Sequence, residues 1–219
     1  MGRDNWYRRT TWTESDREAF FARLNRSRSA STKDQYLRIQ ALYLQKVGTE
    51  EMLRAALELL DLLLEQSPDS FQLASAYLQK AECLLALGDK AGAIEYFRKA
   101  LQREREYPSV QTTAGLEFGW MIVEQGLSHL YDEALEAIQA YAERKPGPMF
   151  PYQRYVVNAV RAIIAEERGY HEIASELAQR ALNAAAQTHS GFRYHPKVGL
   201  VQNTDNPIHC RLLEIVGGG

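Results

Sequence analysis

The sequence predicts an all-α chain of stacked antiparallel helical hairpins. Three observations carry that prediction. Apolar residues recur at three- and four-residue spacing along most of the chain, the signature of one-sided helices. Single glycines (Gly48, Gly88, Gly126 and Gly169) interrupt those patterns at similar intervals. Two short helices cannot bury their apolar faces alone, so each pair asks for neighbours of the same kind.

The clearest pair lies between Ala74 and Leu101. A first helical pattern runs from Ala74 to Leu87. Gly88 can take the positive φ that ends a helix, and Asp89 can cap the next one. In the second pattern, Ala91 to Arg103, the residues Ala93, Ile94, Phe97, Ala100 and Leu101 fall on one face, with Glu95, Arg98, Lys99 and Gln102 opposite.

From the N-terminus, Trp6, Tyr7 and Trp12 stand among Arg3, Arg8 and Arg9. Thr13 can cap a helix with Asp16 at its third position, and Phe20, Phe21 and Leu24 give that helix a narrow apolar face. The aromatics read best as a cover for the open end of a helix stack, since terminal units need one. A basic-aromatic patch for RNA is the alternative. Asn25 to Ser31 reads as a polar linker whose Arg26 and Arg28 could meet phosphates. Ser31 or Thr32 starts the next helix, which Gly48-Thr49 stops. Glu50 to Gln66 is the most apolar helix, its polar residues confined to the stripe Arg54, Glu58, Asp61 and Glu65, so it touches neighbours on more than one side. Pro68 closes that unit and Pro108 the central one. In the third unit Gly115 and Gly119 lie on one helical face and permit close contact. Its second helix runs from Tyr131 to Arg144, ended by Pro146-Gly147-Pro148. The fourth unit spans about Tyr152 to Ala186, with Ile173, Ala174, Leu177, Ala178, Ala181, Leu182 and Ala185 as its stripe. The tail after Gln187 is aromatic and turn-rich, and should lie against the preceding helices. Ile208 to Val216 reads as a last short helix or strand, and Gly217 to Gly219 should fray.

Ala81, Gly88, Ala93, Phe97, Ala100 and Leu101 resemble the small–Gly–Ala–aromatic–Ala pattern of the tetratricopeptide repeat (TPR). The same skeleton fits Ala41, Gly48, Ala56 and Leu60 before Pro68; Gly119, Gly126, Ala134 and Ile138 before Pro146; and Ala162, Gly169, Ala174, Ala178 and Ala181. The repeats are degenerate: the anchor alanines 56, 93, 134 and 174 stand 37, 41 and 40 residues apart, against the family's 34. The resemblance implies a right-handed superhelix of about four hairpins, an α-solenoid. The domains it suggests are an N-terminal capping segment over residues 1–30, a TPR-like domain over 31–186 and a tail packed on the repeats over 187–219.

The resemblance also implies a concave groove lined by the first helices of the hairpins. Family groove positions fall on Arg38, Gln45 and Lys46, on Glu82, on Trp120 and Glu124, and near Asn158 and Arg161. Such a groove holds an extended peptide or a helix of a partner protein. Trp120 serves equally well as core. The carboxylate clamp of some relatives is not expected, because Leu42 and Glu117 occupy two of its places.

A catalytic constellation does not emerge. His189, His195, His209, Cys210 and Asp205 share the tail, but their spacing matches no zinc motif, and ordinary loop histidines are the simpler reading. Ser190 lacks a nucleophile elbow. The glycines stand singly, so no phosphate loop forms. Cys83 reads as a small core residue. The expectation is a non-catalytic adaptor without metal or cofactor. The alternatives are an RNA-associated regulator using the basic N-terminus, or an enzyme sited in the histidine-containing tail.

Net charge is −2, which calls for neither nucleic acid nor membrane. The average hides an asymmetry: residues 1–33 carry eight Arg/Lys against four Asp/Glu, a net of +4 that leaves −6 for the rest. An apolar leader and a membrane-length apolar run are both lacking, so a cytoplasmic location is expected. A homodimer through the end of the stack is compatible with the sequence.

Overall fold

The computed structural model describes residues 5–218. Arg3 and Gly219 lie outside the described residues. Among the described residues the chain is all-α, with ten α-helices, two 3-10 turns and no strand. None of these helices is long and apolar enough to cross a membrane. The chain divides into two compact units, Met1–Ala114 and Gly115–Gly219.

The first unit opens with a 3-10 turn, Asn5–Tyr7, followed by α1 (Glu14–Leu24), α2 (Ala30–Gln45), α3 (Glu50–Gln66), α4 (Leu73–Ala86) and α5 (Lys90–Glu106). Helix α1 starts as its sequence dictates. The Thr13 hydroxyl accepts from the Asp16 N–H while the Asp16 carboxylate accepts from the Thr13 N–H, a complete capping box. The cap of helix α2 stands two or three residues before the Ser31 or Thr32 start expected from sequence. Ser29 is the cap, accepting from the Thr32 N–H, so the linker is shorter. Helices α2 and α3 pair, as do α4 and α5, and α3 also packs on α4. That second contact explains why α3 is apolar around most of its circumference.

The N-terminal aromatics fold back onto α2. Trp6 and Tyr7 lie 4.7 and 4.5 Å from the Tyr36 ring. Trp6 and Trp12 lie 5.5 and 5.4 Å from Phe20, which is fully buried. The Arg9 N–H donates to Gln40 Oε1 (3.0 Å), and Gln40 Nε2 donates back to the Arg9 carbonyl (2.8 Å). The aromatics therefore join the apolar core that α2, α3 and α4 share. One cation ties three helices here. Lys80 of α4 forms an ion pair with Asp61 of α3 and lies 4.4 Å over the ring of Tyr96 of α5.

The second unit comprises α6 (Ala114–Glu124), α7 (Tyr131–Ala142), α8 (Pro151–Glu167), α9 (His171–Ala185) and α10 (Pro207–Gly217). A 3-10 turn, Ser128–Leu130, precedes α7. Helix α7 ends two residues before Arg144 and α8 starts one before Tyr152. Pro151 sits at the first position of α8, where its missing N–H costs nothing. Helix α6 approaches α7 at its glycines: a Cβ on Gly115 would lie 2.7 Å from the Ala137 carbonyl oxygen. Glu167 of α8 accepts from the Tyr131 hydroxyl of α7 (2.6 Å) and from Arg211 of α10 (2.6 Å).

Gly88, Gly126 and Gly169 end α4, α6 and α8 in the same way. Each has positive φ, and its N–H and the next N–H reach back to carbonyls three and five residues upstream. This is the Schellman closure, and glycine takes it without a Cβ penalty. Gly48 also has positive φ and lies between α2 and α3.

The tail resolves the choice left at Ile208 to Val216 in favour of a helix. Asn206 caps α10 by accepting from the His209 N–H, and Pro207 takes the first helical position. Helix α10 lies on α8 and α9. Gly217 is its last residue, and the Gly218 N–H donates to the Glu214 carbonyl (2.9 Å). Ahead of α10, Phe192 stacks on Phe150 (5.4 Å) and Gly199 closes against the Phe150 ring, where a Cβ would clash.

Candidate functional site

Arg38, Gln45 and Glu82 come together along the line where α2 meets α4. Gln45 Nε2 donates to Glu82 Oε2 (2.7 Å). Arg38 Nε donates to Gln72 Oε1 (2.6 Å) at the start of α4, and Gln79 Nε2 donates to the Arg38 carbonyl (3.4 Å). Arg38 has no carboxylate partner among the described residues. Asp34, one turn earlier on α2, instead accepts from the Ser67 hydroxyl (2.7 Å). Burial pulls the Arg38 guanidinium below its ordinary value. The seam is short of donors as well: the side-chain oxygens of Gln45 and Gln79 are buried with no hydrogen-bond partner. Unmatched buried polar groups are rare in folded proteins, and their concentration here marks the seam.

Burial raises the Glu82 carboxyl, and the Gln45 hydrogen bond offsets part of that rise. The fold thus favours the neutral acid. Stability from this group is greatest below the ordinary value of 4.5 and falls as pH rises through the folded value. Glu82→Gln is therefore expected to be more stable than the parent at neutral pH, with the gap closing toward about pH 4. Urea midpoints of both proteins across that range check it; a gap that does not change with pH contradicts it. The neighbouring Cys83 is a buried core residue whose thiol is pushed up to about 12 by burial and by the Glu82 charge.

The other predicted residues are placed differently. Lys46 is exposed, with its ammonium 5.6 Å from the Tyr43 ring centroid. In the second unit, half-buried Trp120 packs on Tyr155 (5.8 Å) and donates to Glu124 (3.2 Å), so these two engage each other. Asn158 donates to the Arg154 carbonyl on its own helix (2.7 Å). Arg161 flanks a small apolar cavity of about 170 Å³ with Leu135, Ile173 and Leu177. Sequence reasoning left Gln72 and Gln79 out of the groove set. Their signal was present, because Gln72, Gln79 and Glu82 are seven and three residues apart and share one face of α4.

Two of the tail histidines have side-chain partners, and His195 takes part through its backbone, its carbonyl accepting from the Ser190 hydroxyl (2.7 Å). His189 Nδ1 accepts from the Gly191 N–H (2.9 Å), and His209 Nδ1 lies 3.3 Å from the Tyr155 hydroxyl. Among the described residues no three His, Cys, Asp or Glu side chains are grouped to hold a metal ion.

No protein-family model, curated protein or solved structure matches the chain.

Proposed function

We propose that this chain is a non-catalytic interaction protein whose hairpins are degenerate TPR-like repeats, and that the α2–α4 seam binds an extended peptide carrying an acidic group. The observation that carries the reading is Arg38, a half-buried arginine whose guanidinium donates only to an amide. A peptide carboxylate would supply the missing counter-charge. Lys46, exposed at the end of α2, adds a second cation that steers acidic ligands without being buried. Close repeats of helices also favour such surfaces, because stacking leaves the first helix of each pair with an uncovered side.

The test is selection from a random peptide library on the purified chain, followed by affinity measurement. Acidic sequences are expected to be enriched. Arg38→Glu should weaken them by at least about tenfold, the loss of one charge-assisted hydrogen bond of about 1.5–3 kcal/mol. Lys46→Glu should act mainly on the association rate. Selected peptides without acidic residues, or affinities untouched by Arg38→Glu, would reject the reading.

A further inference from the structure

Away from the α2–α4 seam, the first unit holds a second site that the peptide reading does not use. A cleft of about 830 Å³ opens between the N-terminal segment, the end of α1 and the start of α2. Four arginines line it, Arg8, Arg9, Arg23 and Arg26, together with the rings of Trp6 and Tyr36. The remaining lining groups are hydroxyls and one amide, and among the described residues no Asp or Glu lines it.

The cations are not balanced by the fold. Arg9 pairs with Asp16, whose carboxylate is also held by Thr11 and Thr13. Even so, the Arg9 Nε–H is buried and has no acceptor. Arg8 lies over the Tyr7 ring at 5.0 Å, and Arg8, Arg23 and Arg26 have no carboxylate partner among the described residues. Arg23 in the last turn of α1 is accounted for by helix polarity. That argument does not reach Arg8 or Arg26. Guanidinium groups gathered around one cleft repel one another, and an anion in the cleft removes the repulsion.

We propose that this cleft binds a compact polyphosphate ligand of nucleotide size. Planar guanidinium forks match phosphate oxygens two at a time, and hydroxyl and amide donors complete such sites. The volume lies in the range of small-molecule pockets. A single-stranded nucleic acid fits less well, since it needs a run of open ring faces for successive bases. Here Trp6 packs against Tyr7, Phe20 and Tyr36, so its ring is already engaged on several sides. What remains of Trp6 and Tyr36 can flank one base or sugar at the mouth of the cleft.

Calorimetric titration of the whole chain with inorganic tripolyphosphate, with ATP and with single-stranded RNA of graded length tests this. Saturable one-site binding of tripolyphosphate is expected, weakened at least tenfold in Arg23→Gln/Arg26→Gln and by added salt. Both arginines are exposed, so the variant should stay folded with a midpoint close to the parent's, the small loss of helix polarity at Arg23 set against the relief of repulsion; Arg8→Gln serves as an independent variant. Tighter binding of ATP would identify a nucleotide, and equal binding would identify the phosphate groups alone as the recognised part. Absence of saturable polyphosphate binding, equal binding by both variants, or an affinity that climbs with RNA length past that of tripolyphosphate would overturn the proposal.

Discussion

Phe20→Ala is expected to destabilise the protein by about 3–5 kcal/mol, the usual cost of emptying a fully buried aromatic site. Phe20 has no exposed surface and meets the rings of Trp6, Trp12 and Phe21 at 5.5, 5.4 and 5.3 Å. Those rings come from the N-terminal segment and from α1 itself, so the cavity would open at the joint that holds the segment to α2. Collapse of the neighbours is limited because Trp6 is already fixed by Tyr36. Urea denaturation followed by tryptophan fluorescence measures the loss. Phe71→Ala is the control: that ring is 71% exposed, and its removal should change stability by no more than about 0.5 kcal/mol. A loss below about 1 kcal/mol at Phe20 would show that the N-terminal segment is not part of the core.

Gly115→Ala should cost about 1–3 kcal/mol through overpacking, although alanine is the better helix former by up to about 1 kcal/mol. The added Cβ would sit 2.7 Å from the Ala137 carbonyl oxygen and 3.3 Å from Tyr141 Cβ. Both belong to α7, and a backbone carbonyl inside a helix cannot step aside without moving the helix. Gly119→Ala meets Ile138 Cγ1 at 2.7 Å and Cδ1 at 2.9 Å, side-chain atoms that can give way by smaller shifts than a backbone carbonyl held in a helix. The expected order of damage is therefore Gly115 above Gly119. Thermal unfolding of the two single variants decides it, and a stabilised Gly115→Ala protein would mean that α6 and α7 stand further apart.

The helices were legible because their stop signals are local. Glycine at positive φ is a backbone requirement that needs no tertiary context, so Gly48, Gly88, Gly126 and Gly169 could be placed between helices from sequence alone. The stripe of α3 and the glycine pair of α6 were readable for the same reason. Starts were harder. Several hydroxyl residues run together at Ser29, Ser31 and Thr32, and any of them could cap α2. The Asn206-Pro207 pair was a start signal that the absence of a longer helical period obscured. The candidate sites were the least legible. Arg8, Arg9 and Arg26 were named in two separate stretches, and only the fold of the N-terminal segment brings them with Arg23 to one cleft. Conversely, Trp120 and Glu124 looked available because sequence does not show that one donates to the other.

Lys80 and Glu167 do more than satisfy a charge. Each stands on a middle helix and grips one helix on either side: Asp61 and Tyr96 in one case, Tyr131 and Arg211 in the other. Leucine and alanine faces are tolerant of sliding, since a neighbouring leucine fills much the same space. A polar head is not, because a slip of one residue turns it by about 100° and strands it from its partners. The two side chains act as pins that fix how far along its neighbours each helix sits, in cores where grease alone would leave that phase loosely chosen.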